Sequence, residues 1–298
     1  MNPACPCCAE TKNSLVFRAR DYEHGIPGEW SIVECANCGL YFQSPIPQQE
    51  ELTHFYPKTY SAYNNKGVIG WLFNLTYKLD AIRVRALLGK TGRILDIGCG
   101  DGLALSKIRD YGDYQLCGVE FDEGAAEKAR ARGLDVRTGE IGASGFELNS
   151  FDLIRMGHVI EHLREPAQTV SEIYKLLKPG GVFIGETPNS DCLDFRLFRR
   201  YWGALHLPRH LTFFNHENLC SLLKAVGFTE VSIQPRLRTA GWSCGIQNFL
   251  ADRAGLQIPA SGRVSWYVLL IFPFLPITAL QALFGKTGTM SFLAIKSL

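Results

Sequence analysis

RILDIGCGDG, residues 93–102, carries the reading of the fold. Ile94, Leu95 and Ile97 form a short apolar run with no polar alternation, the pattern of a strand buried on both faces. Gly98, Gly100 and Gly102 follow at once, so the strand ends in a turn that needs backbone freedom and then starts a helix. A dinucleotide fingerprint wants a third glycine where Leu103 stands. Asp96 and Asp101 flank the place of a pyrophosphate, and two carboxylates there repel one. A cationic ligand is favoured instead.

The pattern repeats downstream. QLCGVEFD, residues 115–122, reads as a second strand ending in Glu120, an acid placed to accept both hydroxyls of a ribose. A third strand near Leu134–Arg137 leads to Glu140 and Ile141, and a fourth, FDLIRM, runs into HVIEHL at residues 158–163. The helix from Pro166 to Leu177 is stopped by the glycines of KPGG, and GVFIGETPN is the fifth strand. This βαβ alternation predicts a doubly wound parallel α/β sheet with its ligand at the carboxyl ends of the strands.

DIGCGDG, VEFD, FDLI…HVIEHL and LKPGG, in this order, resemble the class I S-adenosylmethionine methyltransferases over about residues 90 to 235 and the last ten. The resemblance implies a Rossmann-like seven-stranded sheet. FTEVSIQP would be its sixth strand, and MSFLAIK its seventh, inserted antiparallel between the fifth and sixth. It implies that Asp96, Gly98 and Gly100 line the methionine part of S-adenosylmethionine and that Glu120 holds its ribose. Glu140 and Ile141 would sit near adenine, with Met156 and His158 bordering the sulfonium.

Methyl transfer from a sulfonium is an in-line displacement, so the protein aligns donor and nucleophile and at most removes a proton. Histidine is the natural base, and seven are present. HLPRHLTFF, residues 206–214, is an irregular loop after the fifth strand, expected over the cofactor mouth. Its His210 resembles the base of the zinc-ribbon sugar C-methyltransferases. It either acts in chemistry or shapes the pocket, and His158 is a second catalytic candidate. Arg209 stands where that family has an acid, and an arginine there can hold a phosphate or carboxylate of the substrate. HVIEHL would place His158 and His162 one helical turn apart, with His162 structural. Asn215 is read as the cap of a helix closed by Gly227.

Cys5 and Cys8, then Cys35 and Cys38, give C-x2-C twice, the spacing of a tetrahedral S4 zinc site. Gly39 follows the second knuckle, whereas Ala9 takes the equivalent place in the first. Cys7 is a spare thiol able to replace either neighbour, and the alternative reading of the four is redox chemistry. Such a closed site is structural, so no catalysis is expected of the metal. The sugar enzymes also carry an N-terminal cysteine ribbon.

The expected organisation is a zinc-ribbon-like module over residues 1–47 and an aromatic helical segment over 48–89. A cofactor-binding core over 90–238 follows, then a hydrophobic insert over 239–288 and a final core strand over 289–298. The aromatic segment, with seven rings between residues 54 and 78, either lids the site or packs the first helices onto the core.

The insert contains SWYVLLIFPFLPITALQALFGK, residues 265–286, uncharged until Lys286. One membrane crossing would strand MSFLAIK away from its sheet. Pro273 and Pro276 are expected to break the run into halves too short to span. The readings left are a broken hairpin on the membrane face, with Trp242, Trp266 and Tyr267 as anchors, or an apolar flap packed on the domain or a second subunit.

The 31 basic and 29 acidic residues leave a net charge of +2, which gives no basic stripe for nucleic acid. RNA methylation is the alternative enzyme class, and the Asn-Pro-Pro-aromatic signature of amino-group methylation on bases is replaced by Arg155-Met-Gly-His158. A ribbon adaptor that binds the cofactor without turnover is the non-catalytic alternative. The start, MNPACPCCAE, has no signal-peptide core, and five scattered single cysteines suit a reducing compartment, so a cytoplasmic protein, at most on the inner membrane's cytoplasmic face, is expected. The expected acceptor is a small molecule, a glycan or a lipid-linked intermediate.

Overall fold

The computed structural model describes residues 3–55, 67–259, 262–264 and 266–298. Three strands open the chain, β1 (Asn13–Ala19), β2 (Trp30–Cys35) and β3 (Tyr41–Ser44), followed by helices α1 (Gln49–His54) and α2 (Gly67–Leu88). Then come β4 (Thr91–Ile97), α3 (Leu103–Arg109), β5 (Asp113–Glu120), α4 (Glu123–Ala131), β6 (Asp135–Thr138) and β7 (Phe151–Gly157). The chain continues through α5 (Pro166–Leu176), β8 (Leu177–Pro188), α6 (Leu193–Phe198), β9 (Thr212–Phe213), α7 (His216–Val226) and β10 (Phe228–Arg236). Helices α8 (Ala240–Ala254) and α9 (Tyr267–Leu283) and strand β11 (Thr289–Lys296) complete it.

The main sheet has seven strands in the order β10-β11-β8-β7-β4-β5-β6. β11 runs antiparallel to both neighbours, and the pairs inside β8-β7-β4-β5-β6 are parallel. The sequence pattern explains why. Ile94, Leu95 and Ile97 of β4 are all buried, because successive side chains enter opposite apolar layers. Leu95 and Ile97 join the layer under α5 and α7, whereas Ile94 joins Ala81 and Val84 of α2 and Leu105 of α3. α7 ends as its sequence dictates: Asn215 caps it by accepting from the Asn218 amide, and Gly227 closes it at φ +115°.

The N-terminal strands form a second sheet, β1-β2-β3-β9, whose last strand belongs to the loop after α6. Tyr41 pairs with Phe213 and Phe42 with Thr212. The cysteine module is thus stitched to the core by the very loop that carries His210.

Three expectations need correction. HVIEHL forms no α-helix: His158 lies at φ +54° and Ile160–His162 make one 3-10 turn. The prolines of the apolar run do not break it, since Pro273 and Pro276 both sit inside the 17-residue helix α9. Trp242 is no interfacial anchor, being buried in α8, where it stacks on Phe274 with ring centroids 5.1 Å apart. Trp266 is half-buried, and the Tyr267 side chain lies outside the described residues. Residues 56–66 of the aromatic segment also lie outside them. No helix among the described residues is long and apolar enough to cross a membrane.

Candidate active site and cysteine cluster

The glycine turn at the end of β4 is built as its sequence requires. Gly98, Gly100 and Gly102 take φ of +71°, +57° and +76°, and a β-carbon at Gly98 would stand 2.4 Å from Val159 Cγ2. The Gly98 and Cys99 amides donate to the Val119 carbonyl at 2.8 and 3.3 Å. Glu120, at the tip of β5, braces the turn: one carboxylate oxygen accepts from the Gly100 amide at 2.7 Å, the other from the Asp122 amide at 3.0 Å. The Gly139 amide donates to the Glu120 carbonyl at 2.9 Å, which brings the loop with Glu140 and Ile141 to the same edge. Ile141 is buried there and Glu140 is exposed at the start of a 3-10 turn. Met156 is different, because its side chain is sealed in the apolar layer with Ile97 and only its backbone reaches the edge.

Asp96 is buried against Arg155 at 3.0 Å. Burial pushes its carboxyl up to about 6, helped by Glu120 and Asp80 and opposed by Arg155. Asp101 pairs with Arg132 at 2.9 Å. The two acids therefore carry partners, and charge repulsion alone does not exclude a pyrophosphate as the sequence implied.

A charged chain that the sequence did not reveal runs along this edge. Arg155 lies 4.0 Å from Asp80 of α2, Asp80 is 3.1 Å from Arg236, and Arg236 is 3.0 Å from Glu186 at the end of β8. Arg238 joins Glu186 at 3.1 Å. His158 donates to Glu186 at 3.3 Å and forms an ion pair with Glu161 at 3.3 Å, and the Thr187 hydroxyl donates to Glu161 at 3.0 Å. Loss of water disfavours the imidazolium, but Glu161 and Glu186 outweigh it and push His158 up to about 10. Burial likewise works against a charged Glu186, yet His158, Arg238 and Arg236 hold its carboxyl below the usual range. The two carboxylates therefore favour the protonated form of His158, the form that does not accept a proton.

His210 presents the opposite case. Burial first, then His162 and His206, hold it well below the usual imidazole range, so it is neutral. Its Nδ1–H donates to the Ala204 carbonyl at 2.9 Å, which leaves Nε2 as the basic atom. The His162 ring lies edge-on at 4.5 Å, with its own Nδ1–H donating to the Arg209 carbonyl at 3.0 Å. One ligand-type atom from each of Glu161, His162 and His210 falls within 4.8 Å of the others. The imidazolium of His158 already serves Glu161, so we assign no metal there.

Arg209 is turned into the protein. Its side chain is 1% exposed, lies 3.6 Å from Asp21 of the N-terminal module, and donates to the Phe55 carbonyl at 3.3 Å. A cavity of about 400 Å³ opens nearby on the carboxyl edge, between Tyr41, Ser190 and Asp191, with Arg196 and Arg199 on its wall.

The four predicted cysteines converge. Sulfurs of Cys5 and Cys38 stand 3.6 Å apart and those of Cys8 and Cys35 3.5 Å, all four within 4.8 Å. A tetrahedron with metal–sulfur bonds of about 2.3 Å has edges of roughly 3.8 Å, so the donor set fits zinc. The knuckles match: the Ala9 amide donates to the Cys5 carbonyl at 2.9 Å and the Gly39 amide to that of Cys35 at 3.0 Å. Ala9 adopts φ +61° beside the +65° of Gly39, the same turn in a residue less suited to it. Cys7 is left out of the group.

Residues 72–233, more than half of the chain, match the family described as a methyltransferase domain. The chain belongs to this methyltransferase family. Among its relatives is a probable S-adenosylmethionine-dependent methyltransferase of Mycolicibacterium smegmatis, 34% identical over 137 residues, or 45% of this chain and 51% of the relative. A ubiquinone/menaquinone biosynthesis C-methyltransferase of Desulfotalea psychrophila is 25% identical over 181 residues, 52% of this chain and 74% of the relative. The chain thus spans about half the length of the first of these relatives. Among solved structures, phosphoethanolamine N-methyltransferase 2 of Haemonchus contortus, in complex with S-adenosyl-L-methionine, superposes with a TM-score of 0.54 at 18% identity, covering 95% of this chain and 71% of that one. A possible histamine N-methyltransferase of Thermotoga maritima gives 0.51 at 21% identity, covering 76% and 92%. At such identities these likenesses show the fold, the Rossmann-like fold of class I methyltransferases.

Proposed function

We propose that this methyltransferase moves the methyl group of S-adenosylmethionine to a small-molecule, glycan or lipid-linked acceptor by in-line displacement. The observation that carries the reading is the Glu120 carboxylate clamped on the Gly100 amide at the carboxyl edge of the matched domain. Each carboxylate oxygen keeps a lone pair beyond its amide contact, as two ribose hydroxyls require. Asp96 would face the cationic end of the methionine part, the turn of Gly98 and Gly100 would lie against it, and Ile141 beside Glu140 would border the base. The bound donor supplies a methyl group already electrophilic on its sulfonium. The chain's own work is alignment and, for an acceptor hydroxyl, amine or carbon acid, uptake of a proton at Nε2 of His210.

In the N-terminal module, Cys5, Cys8, Cys35 and Cys38 would hold a structural zinc, closed to substrate by four sulfurs. The cavity beside Arg196 and Arg199 offers the acceptor a place on the same edge. Calorimetry with S-adenosylmethionine tests the donor site. Glu120→Ala is expected to weaken binding at least tenfold, the scale of two lost hydrogen bonds to a charged acceptor. Wild-type affinity in that variant would overturn the assignment.

A further inference from the structure

The insert between β10 and β11 wears its polarity inside out. Helix α9 has 17 residues and no charge. It turns Leu269, Phe272, Leu280, Leu283 and Phe284 to the outside at 71, 64, 59, 80 and 71% exposure, while burying Thr278 and Gln281. The inward polar groups are bonded: Thr278 donates to the Phe274 carbonyl at 2.8 Å, and Gln281 accepts from the Trp242 indole at 3.1 Å and donates to the Lys286 carbonyl at 2.9 Å. A surface helix in water has the opposite pattern, so this face is made for something other than water.

Three observations say what. First, among the described residues no polar side chain interrupts the outward face, whereas contacts between proteins carry roughly one hydrogen bond per 100–200 Å². Second, Pro273 and Pro276 lie on the exposed face and lack amide hydrogens, so the carbonyls of Leu269 and Phe272 lose their helical donors. Water of the headgroup layer supplies donors to such carbonyls, and a dry protein contact does not. Third, cations bracket the helix at both ends. Trp242 meets Gln281, so α8 and α9 run antiparallel, and Gln247 of α8 bonds to Gly262 and Val264 just before α9. Arg263 therefore stands near the start of α9, as does the exposed Arg253, which lies 4.0 Å from Asp252. Lys286 follows its end and shares Asp191 with Arg196.

We infer that α9 docks flat on an anionic lipid bilayer, with its apolar face at the boundary of headgroups and acyl chains. The helix is about 25 Å long at 1.5 Å per residue, short of the roughly 30 Å hydrocarbon core, which fits lying on the bilayer and not crossing it. The inference stands apart from the methyl-transfer reading and fails or holds on its own.

Flotation of the full chain with vesicles of phosphatidylcholine, alone or mixed with phosphatidylglycerol, tests it. Wild type is expected to float, more strongly on the mixed vesicles and less so in high salt. Combined Leu269→Gln, Phe272→Gln and Leu280→Gln substitutions are expected to lower partitioning by about tenfold or more, the scale of three apolar side chains withdrawn from lipid. Arg253→Gln with Arg263→Gln is expected to lower it only on the mixed vesicles. Retained S-adenosylmethionine binding by calorimetry would show the triple variant folded. A wild type that stays with the aqueous phase, or a triple variant that floats equally, overturns the inference. So does a wild-type dimer in light scattering that the triple variant loses without any flotation, since the face would then belong to a second copy.

Discussion

Asp96 shows how one residue's surroundings set a measurable pH dependence. Its carboxyl, ordinarily near 3.8, is pushed up to about 6 in the fold, chiefly by burial. The folded protein therefore holds this proton more tightly than the unfolded chain. The group's contribution to stability is full below pH 3.8 and is lost as pH rises through about 6. Attraction for a cationic donor needs the opposite, ionised form. S-adenosylmethionine binding is therefore expected to tighten several-fold between pH 5 and pH 7, and Asp96→Asn is expected to bind weakly with a flat profile. Calorimetry at both pH values decides; a flat wild-type profile would place the donor's cation elsewhere. The residues of this turn were legible because a glycine's φ and an acid at a strand tip are local consequences of sequence. Arg155 was not, since only the β4–β7 pairing sets it beside Asp96. The charge on His158 was equally hidden, because Glu186 lies 28 residues away.

At the scale of elements, the strands and the capped α7 follow from periodicity and cap residues, and the structure places them within a few residues of expectation. HVIEHL misled because its i, i+4 histidines look helical. The His158 amide instead donates to the Glu186 carbonyl at 2.7 Å, which holds the segment against β8 and off the helical path. The prolines of α9 misled for a related reason: a proline's cost depends on whether the freed carbonyl finds a partner, and periodicity does not report that. Least legible was β9, a two-residue strand whose partner β3 lies some 170 residues earlier. That pairing has a consequence. Disrupting the cysteine cluster should loosen the His210 loop as well as the module. Cys35→Ser with Cys38→Ser is expected to abolish zinc content by elemental analysis and to raise amide exchange over residues 207–214. Full zinc retention would refute the cluster as a metal site, and unchanged exchange in a zinc-free variant would show that the two-residue pairing does not carry the coupling.

For the whole molecule, the topology was readable because the strand motifs occur in the order the class I fold requires, and the insert between β10 and β11 leaves their antiparallel pairing in place. What no motif shows is how the N-terminal module is held. Asp21 is fully sequestered, accepting from the amides of Glu23 and His24 at 3.0 and 3.1 Å, and Arg209 of the core loop lies 3.6 Å from it. An arginine beside a candidate base reads from sequence as a substrate clamp, but one that is 1% exposed acts as a tie between module and core. The two roles separate cleanly. Arg209→Met removes the guanidinium from a buried pair and leaves Asp21 charged, a loss on the order of 3 kcal/mol in unfolding free energy. If the tie is the whole of its role, denaturant melts shift by that amount, S-adenosylmethionine affinity stays within about twofold, and combining Arg209→Met with Asp21→Asn recovers part of the loss, because the charge left behind is neutralised. A variant with wild-type stability and lost acceptor turnover would return Arg209 to the substrate site.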